Sequence, residues 1–293
     1  MRVAVPGAGL MGAQIGVEYA IGGHDVTFVV RDAAAAEERI GRALALVESA
    51  GLASPEQTAA ARSRIAVTKN LAEIGSACNL VVENITEDLA LKGALLAEAG
   101  RIAPGAVLAS NTSSISIAAI GEAAGFPERT IGTHYWNPPL LMPLVEIIRS
   151  DRTLPGLEAP IVEALRAMGK RPVVAERDVP GFVWNRMQLA LLREAVWLVE
   201  QGVASPETVD QIVREGLARR WRYTGPFQTA ALGGAATFER IANNLWPEIS
   251  AETELANLRQ WLPGEPGDLG ELRARRDRGL VQDLLNDQRT GRA

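Results

Sequence analysis

The chain has two histidines. One of them, His134, sits in Thr133-His134-Tyr135-Trp136-Asn137-Pro138-Pro139, and Glu146 follows inside the apolar run Leu144-Val145-Glu146-Ile147-Ile148. A carboxylate in an apolar, strand-like run is costly to bury unless something pairs with it. An imidazole is a suitable partner. The pair would fix one ring tautomer and raise the basicity of the other ring nitrogen, which is what general acid–base chemistry needs. On these residues alone, a core histidine beside a strand-edge glutamate is an equal alternative.

A second chemical signature lies at the N-terminus. Arg2-Val3-Ala4-Val5-Pro6 reads as a short strand, Gly7-Ala8-Gly9-Leu10-Met11-Gly12 follows, and Ala13–Ala20 is helix-like. This is G-x-G-x-x-G between a strand and a helix, the setting of a dinucleotide-binding loop. Gly7 makes the tight turn, Gly9 lets a pyrophosphate approach the backbone, and Gly12 lets the helix pack close. The amides of the first helical turn, from Leu10 and Met11 onward, would hold the phosphates. Pro6 removes one donor from the strand end, which is tolerable there.

The next strand is Val26-Thr27-Phe28-Val29-Val30, and a ribose-binding acid is expected at its end. The chain instead runs Val30-Arg31-Asp32. Asp32 reaching the ribose hydroxyls reads as NAD, and Arg31 pairing with a 2′-phosphate reads as NADP. A third reading makes both solvated residues that cap the next helix. His24, in the turn before this strand, reads as a surface or turn residue.

The elements that must position these residues alternate up to about residue 178. Helices are expected at Ala33–Ala50, after Ser54-Pro55-Glu56, and through Lys92. Strands are expected at Leu80–Glu83, Val107–Ser110, Ile131–His134, Leu144–Ile148 and Arg171–Ala175. At Asp178-Val179-Pro180-Gly181 the pattern changes to helix alone. The segment from Phe182 to about Gly202 is apolar around most of its circumference, so it should be buried on several sides. The fold class is therefore α/β: a Rossmann-type doubly wound sheet over 1–178, then an all-helical domain over 179–293. A helical domain of that size has a modest core of its own, so the apolar helix is expected at a homodimer interface.

Composition bounds the function. A formal net charge of −5 argues against a nucleic-acid or polybasic membrane surface. One cysteine, Cys78, leaves no intramolecular disulfide and suits a reducing cytosol. No run reaches the length of a membrane span, and the first residues already form the cofactor strand, so no signal peptide and a cytoplasmic location are expected. Two histidines and one cysteine leave no basis for a His/Cys metal cluster. The partner expected is a small molecule.

Six stretches, in order, resemble the 3-hydroxyacyl-CoA dehydrogenase family over nearly the whole length. They are Gly7–Gly12, Val82-Glu83-Asn84-Ile85-Thr86-Glu87, Ser110-Asn111-Thr112-Ser113-Ser114, His134-Tyr135-Trp136-Asn137-Pro138, Leu144-Val145-Glu146, and Asp178-Val179-Pro180-Gly181-Phe182-Val183-Trp184-Asn185-Arg186. The resemblance implies an NAD-dependent oxidoreductase, with NADP allowed by Arg31. It implies that His134 is the catalytic base, that Glu146 orients it, and that Ser113 and Asn185 contact the substrate oxygen. Glu87, Lys92, Ser113 and Asn137 would be further cofactor contacts. Each has a plainer alternative: Ser113 as a helix cap, Asn185 as a turn-bonding residue, Lys92 and Glu87 as an exposed helix pair.

The chain departs from that family in informative ways. Val30 stands where a typical NAD-using member has its acid. The segment from Ala33 to Val67, which carries CoA-phosphate lysines in acyl-CoA-using members, has no lysine. The tail Arg275-Arg276-Asp277-Arg278-Gly279-Leu280 is more similar to the branch of λ-crystallin/L-gulonate dehydrogenase and carnitine dehydrogenase. The expected reaction is hydride transfer between a nicotinamide and a small secondary alcohol or ketone, such as a 3-hydroxy/3-keto acid. A short-chain 3-hydroxyacyl-CoA dehydrogenase proper is the alternative, and a non-catalytic dinucleotide-binding sensor or scaffold is the alternative of another class. The loop Arg220–Phe227 could bind an anionic or ring-bearing substrate, or pack between helices with its arginines outside.

Overall fold

The computed structural model describes residues 1–254, 258–262 and 269–290. They divide into two units: Met1–Val183 with the described residues from Glu271 on, and Trp184–Gly270. The division by contacts falls after Val183, and the helix Gly270–Arg289 groups with the first unit from Glu271 on. Arg171 pairs with Asp287 of that helix at 3.1 Å.

The first unit is built on eight strands: β1 Arg2–Pro6, β2 Asp25–Val29, β3 Ile65–Thr68, β4 Leu80–Glu83, β5 Val107–Ser110, β6 Thr130–Tyr135, β7 Leu144–Ile148 and β8 Arg171–Ala175. They form one sheet in the order β3-β2-β1-β4-β5-β6-β7-β8. Central strands such as Leu80-Val81-Val82 are apolar at every position because both faces are covered. Val3 and Val5 join one core cluster and Ala4 the other, as the two-residue side-chain period of a strand requires. The helices α1 Leu10–Ile21, α2 Ala33–Ser49, α3 Pro55–Ser63, α4 Leu89–Ile102, α5 Ile117–Ala124 and α6 Ala159–Ala167 belong to the same unit.

Two features of this topology position the chemistry. The chain winds outward from β1 to β3, then restarts at β4 on the other side of β1, so the β1 and β4 ends flank a topological switch point. Ligands bind such sheets in the crevice at the carboxyl ends of the strands. Among the described strands, only β6 and β7 pair antiparallel. The short link after Tyr135 holds a single 3-10 turn, Pro139–Leu141, and no crossover helix, so the chain must return antiparallel. That return sets His134 directly opposite Glu146.

The second unit comprises α7 Trp184–Glu200, α8 Pro206–Ile212, a π-helical stretch Val213–Ala218, and further helices over Pro226–Gly233, Ala235–Leu245 and Leu258–Trp261. The helix expected from Phe182 starts two residues later, because Gly181 and Phe182 are both left-handed, at φ 78° and 50°. Two such residues in succession cannot continue a right-handed helix. The expectation of burial on several sides is not met within the chain: Val196 is the only buried residue of α7, and Met187 and Leu189 are more than half exposed. No described helix is long and apolar enough to cross a membrane.

Candidate active site

His134 and Glu146 are 5% and 2% exposed, and His134 Nδ1 lies 2.7 Å from Glu146 Oε2. An ionised carboxylate only accepts, so Nδ1 donates and Nε2 is left as the acceptor nitrogen. The second carboxylate oxygen, Oε1, accepts the Val183 N–H at 3.2 Å. Phe182 packs its ring edge-on against the imidazole, with centroids 5.5 Å apart. It is the only non-glycine residue with positive φ among those described. That conformation costs roughly 1–2 kcal/mol; here it seats one side chain on His134 and aims the next amide at Glu146.

At the switch point, Gly7 has φ 91°, and a Cβ there would run into the Asn84 carbonyl. A Cβ on Gly12 would run into the Gly7 carbonyl oxygen, so only glycine lets α1 start this close to β1. Gly9 is different: nothing lies within 4 Å of where its Cβ would be. No side chain caps α1, so the first-turn amides at Leu10 and Met11 open toward the same side as a ready anion site. A cavity of about 670 Å³ continues from Gly7 and Gly9 past Val30, Arg31, Asp32 and Lys69. A pyrophosphate with an attached adenosine fits this donor set. Asp32 itself caps α2, its Oδ1 accepting the Ala35 N–H at 3.1 Å.

A polar network ties the strand ends together. Lys92 is 1% exposed, and its ammonium contacts both Glu83 oxygens at 2.8 and 2.9 Å, the Ile85 carbonyl at 3.3 Å and Glu87 Oε2 at 3.3 Å. Lys92 and Glu87 are therefore not an exposed helix pair. Ser110 donates to Glu83 at 2.6 Å. Glu87 Oε1 accepts from the Thr112 hydroxyl, the Ser113 and Ser114 amides and the Ser114 hydroxyl. Partial burial alone would raise the Glu87 pKa. The hydroxyls of Thr112 and Ser114, the Lys92 charge and the Ser113 amide outweigh it and hold the carboxyl at about 2. Asn111 bridges Asn84 at 2.9 Å to the Tyr135 N–H at 2.8 Å, joining the segments after β4, β5 and β6.

Ser113 is exposed in this loop, but the cap of α5 is Ser116, not Ser113. Asp178 accepts from the Ser116 hydroxyl and the Ala118 amide, fastening the chain that leads to Phe182. Asn137 is exposed beyond β6. Asn185 lies in the first turn of α7, in the second unit. Among the described residues no group of His, Cys, Asp and Glu could hold a metal ion.

Residues 2–179 match the NAD-binding domain of 3-hydroxyacyl-CoA dehydrogenase, and residues 181–282 match its C-terminal domain. The chain belongs to the 3-hydroxyacyl-CoA dehydrogenase family. It is 34% identical to 5-formyl-3-hydroxy-2-methylpyridine 4-carboxylate 5-dehydrogenase of Mesorhizobium japonicum, over 87% of this chain and 83% of that one. A crystal structure of an enzyme of that activity, described as an NAD+-dependent dismutase, superposes with a TM-score of 0.85 at 30% identity, covering 96% of this chain and 97% of the other. L-carnitine dehydrogenase of Streptomyces griseus is 34% identical, over 97% and 89% of the two chains. 3-Hydroxybutyryl-CoA dehydrogenase of Mycobacterium tuberculosis is 35% identical, over 85% and 87%. The protein is a dehydrogenase of this family with an NAD-binding domain.

Glu83 and Lys170 are buried charged groups that sequence reasoning does not single out as functional. Glu83 ends an apolar strand just as Glu146 interrupts one, a signal that applied equally and went unused. Lys170 is 7% exposed, pairs with buried Glu18, and donates to the Pro139 and Met142 carbonyls at 2.7 and 2.9 Å. It braces the link between β6 and β7, and so the register of His134 against Glu146. Its sequence setting, Gly169-Lys170-Arg171, carries no sign of burial.

Proposed function

We propose that this dehydrogenase interconverts a small secondary alcohol and its ketone, most simply a 3-hydroxy/3-keto acid or a related CoA-free compound, with His134 as the acid–base group. The observation that carries the reading is the buried 2.7 Å contact between His134 Nδ1 and Glu146 Oε2. In the oxidising direction the substrate hydroxyl gives its proton to His134 Nε2 while the carbinol C–H bond breaks and the C=O bond forms. The bound nicotinamide supplies the acceptor for the hydride. In the reducing direction the imidazolium returns the proton to the ketone oxygen. Glu146 stabilises that imidazolium without taking its proton. Ser113 holds the oxygen as it gains alkoxide character, and the family resemblance implies the same role for Asn185. Glu87 sets the Ser113 loop, and the Gly7–Gly12 loop and Asn137 take the cofactor.

The preference for a CoA-free substrate rests on two supports. The lysines that would meet CoA phosphates between Ala33 and Val67 are missing. Two relatives that match most of this chain are named for a pyridine carboxylate and for carnitine. The exposed apolar faces of the second unit support a homodimer. The test is a panel run in the reducing direction with NADH and NADPH: acetoacetate, its simple esters, cyclic keto acids and acetoacetyl-CoA. We expect a CoA-free compound to have the higher kcat/KM. A clear preference for acetoacetyl-CoA, above ~10⁴ M⁻¹s⁻¹, would return the protein to acyl-CoA chemistry.

A further inference from the structure

We propose that the adenosine end of the cofactor pocket is built for a ribose carrying a 2′-phosphate, so that NADP(H) binds more tightly than NAD(H). The register Val29↔Thr68 aligns the ends of β2 and β3. Arg31 and Lys69 therefore leave neighbouring strand ends on the same rim, and both line the cavity that begins at Gly7 and Gly9. Arg39 lines it too, from α2, and donates to the Ala8 carbonyl of the glycine loop at 3.3 Å. Three cations thus converge where the ribose of a bound dinucleotide would lie.

Two of the nearby acids are paired elsewhere. Glu37 pairs with Arg62 at 2.8 Å, and Glu38 pairs with Arg42. Asp32 faces the same cavity, but one carboxylate oxygen is engaged as the cap of α2. Among the described residues neither Arg31 nor Lys69 has a hydrogen-bond or ion-pair partner. An unphosphorylated ribose would want a carboxylate acceptor at the end of β2. Val30 stands there, its amide spent on the Thr68 carbonyl at 2.9 Å. Val30 offers a ribose hydroxyl no side-chain acceptor, whereas a phosphate dianion would meet two unpaired cations and the positive end of the 17-residue α2. Arg31 can engage it bidentately, and Lys69 and Arg39 add charge.

The proposal rests on the dinucleotide pocket and not on the choice of substrate, so it is tested by binding without any substrate. Calorimetry would compare NADPH with NADH, and 2′,5′-ADP with 5′-AMP and 3′,5′-ADP, on the intact protein and on Arg31→Ala and Lys69→Ala. Both side chains are exposed, and circular dichroism would check that the variants stay folded. NADPH and 2′,5′-ADP should bind more tightly than their unphosphorylated counterparts. Arg31→Ala should weaken both by about tenfold or more, the usual size of a lost charge-assisted bond, and Lys69→Ala by less, with NADH nearly unchanged in each. Equal or tighter binding of NADH, equal losses for NADH and NADPH, or no binding of either would overturn the proposal. Binding of 3′,5′-ADP as tight as that of 2′,5′-ADP would also overturn it, because the cations would then suit the 3′-phosphate of CoA equally well.

Discussion

The two units cover their apolar side chains to very different degrees. In the first, Ile15, Val17, Phe28, Leu108 and Ile131 are fully buried, and the sheet is lined on both faces. In the second, Val196 is the one buried hydrophobic residue among those described, while Phe227, Leu232 and Trp246 are 90%, 80% and 71% exposed. A chain segment rarely leaves so much apolar surface to water in its working state. The first unit can therefore hold His134 and Glu146 in place by itself, whereas the described residues of the second leave large apolar side chains exposed.

The largest effects should come from the self-sufficient unit. Replacing His134 by Gln should lower turnover by ~10²–10⁴-fold, the range of general acid–base catalysis, and Glu146→Gln by about 10²-fold. Cofactor affinity, measured by calorimetry, should hardly change in either. Near-native turnover of folded His134→Gln enzyme would move the chemistry elsewhere. On the other side of the comparison, light scattering at micromolar concentration should give twice the mass of one chain. Leu189→Glu, which sets a charge on the exposed face of α7, should shift the mass toward the monomer. A wild-type monomer would mean that the second unit's apolar faces are not a subunit interface.

The smallest effect concerns stability. The Glu87 carboxyl is held at about 2, below its ordinary 4.5. A depressed carboxyl stabilises the fold above its unfolded pKa and loses that contribution as pH falls through the folded value. Glu87→Gln should therefore lower the melting temperature by a few degrees at pH 7, and the gap from wild type should close between about pH 5 and pH 2. A gap that persists unchanged at the acid end would show that the Glu87 charge contributes no stability.

What was legible in the sequence followed from local chemistry. The glycine spacing after a strand gave the cofactor loop, and a carboxylate inside an apolar run beside a scarce histidine gave the His134–Glu146 contact. The helical tail is legible as helix, but nothing local tells that its Asp287 pairs with Arg171 of β8. Glu83 and Lys92 meet only because β4 and α4 fold against each other. Lys170 is buried only because the β6–β7 link offers it two carbonyls. Phe182 read as helix because its apolar neighbours carry the helical period; the left-handed turn made with Gly181 is set by packing on His134.

The central claim is that His134 and Glu146 act as one acid–base unit, and a double-mutant cycle on kcat tests it most directly. If Glu146 works through the imidazole, Glu146→Gln should cost about 10²-fold in the wild-type background and almost nothing once His134 is Gln. Equal losses in both backgrounds would contradict the account, because Glu146 would then act on the reaction independently of His134.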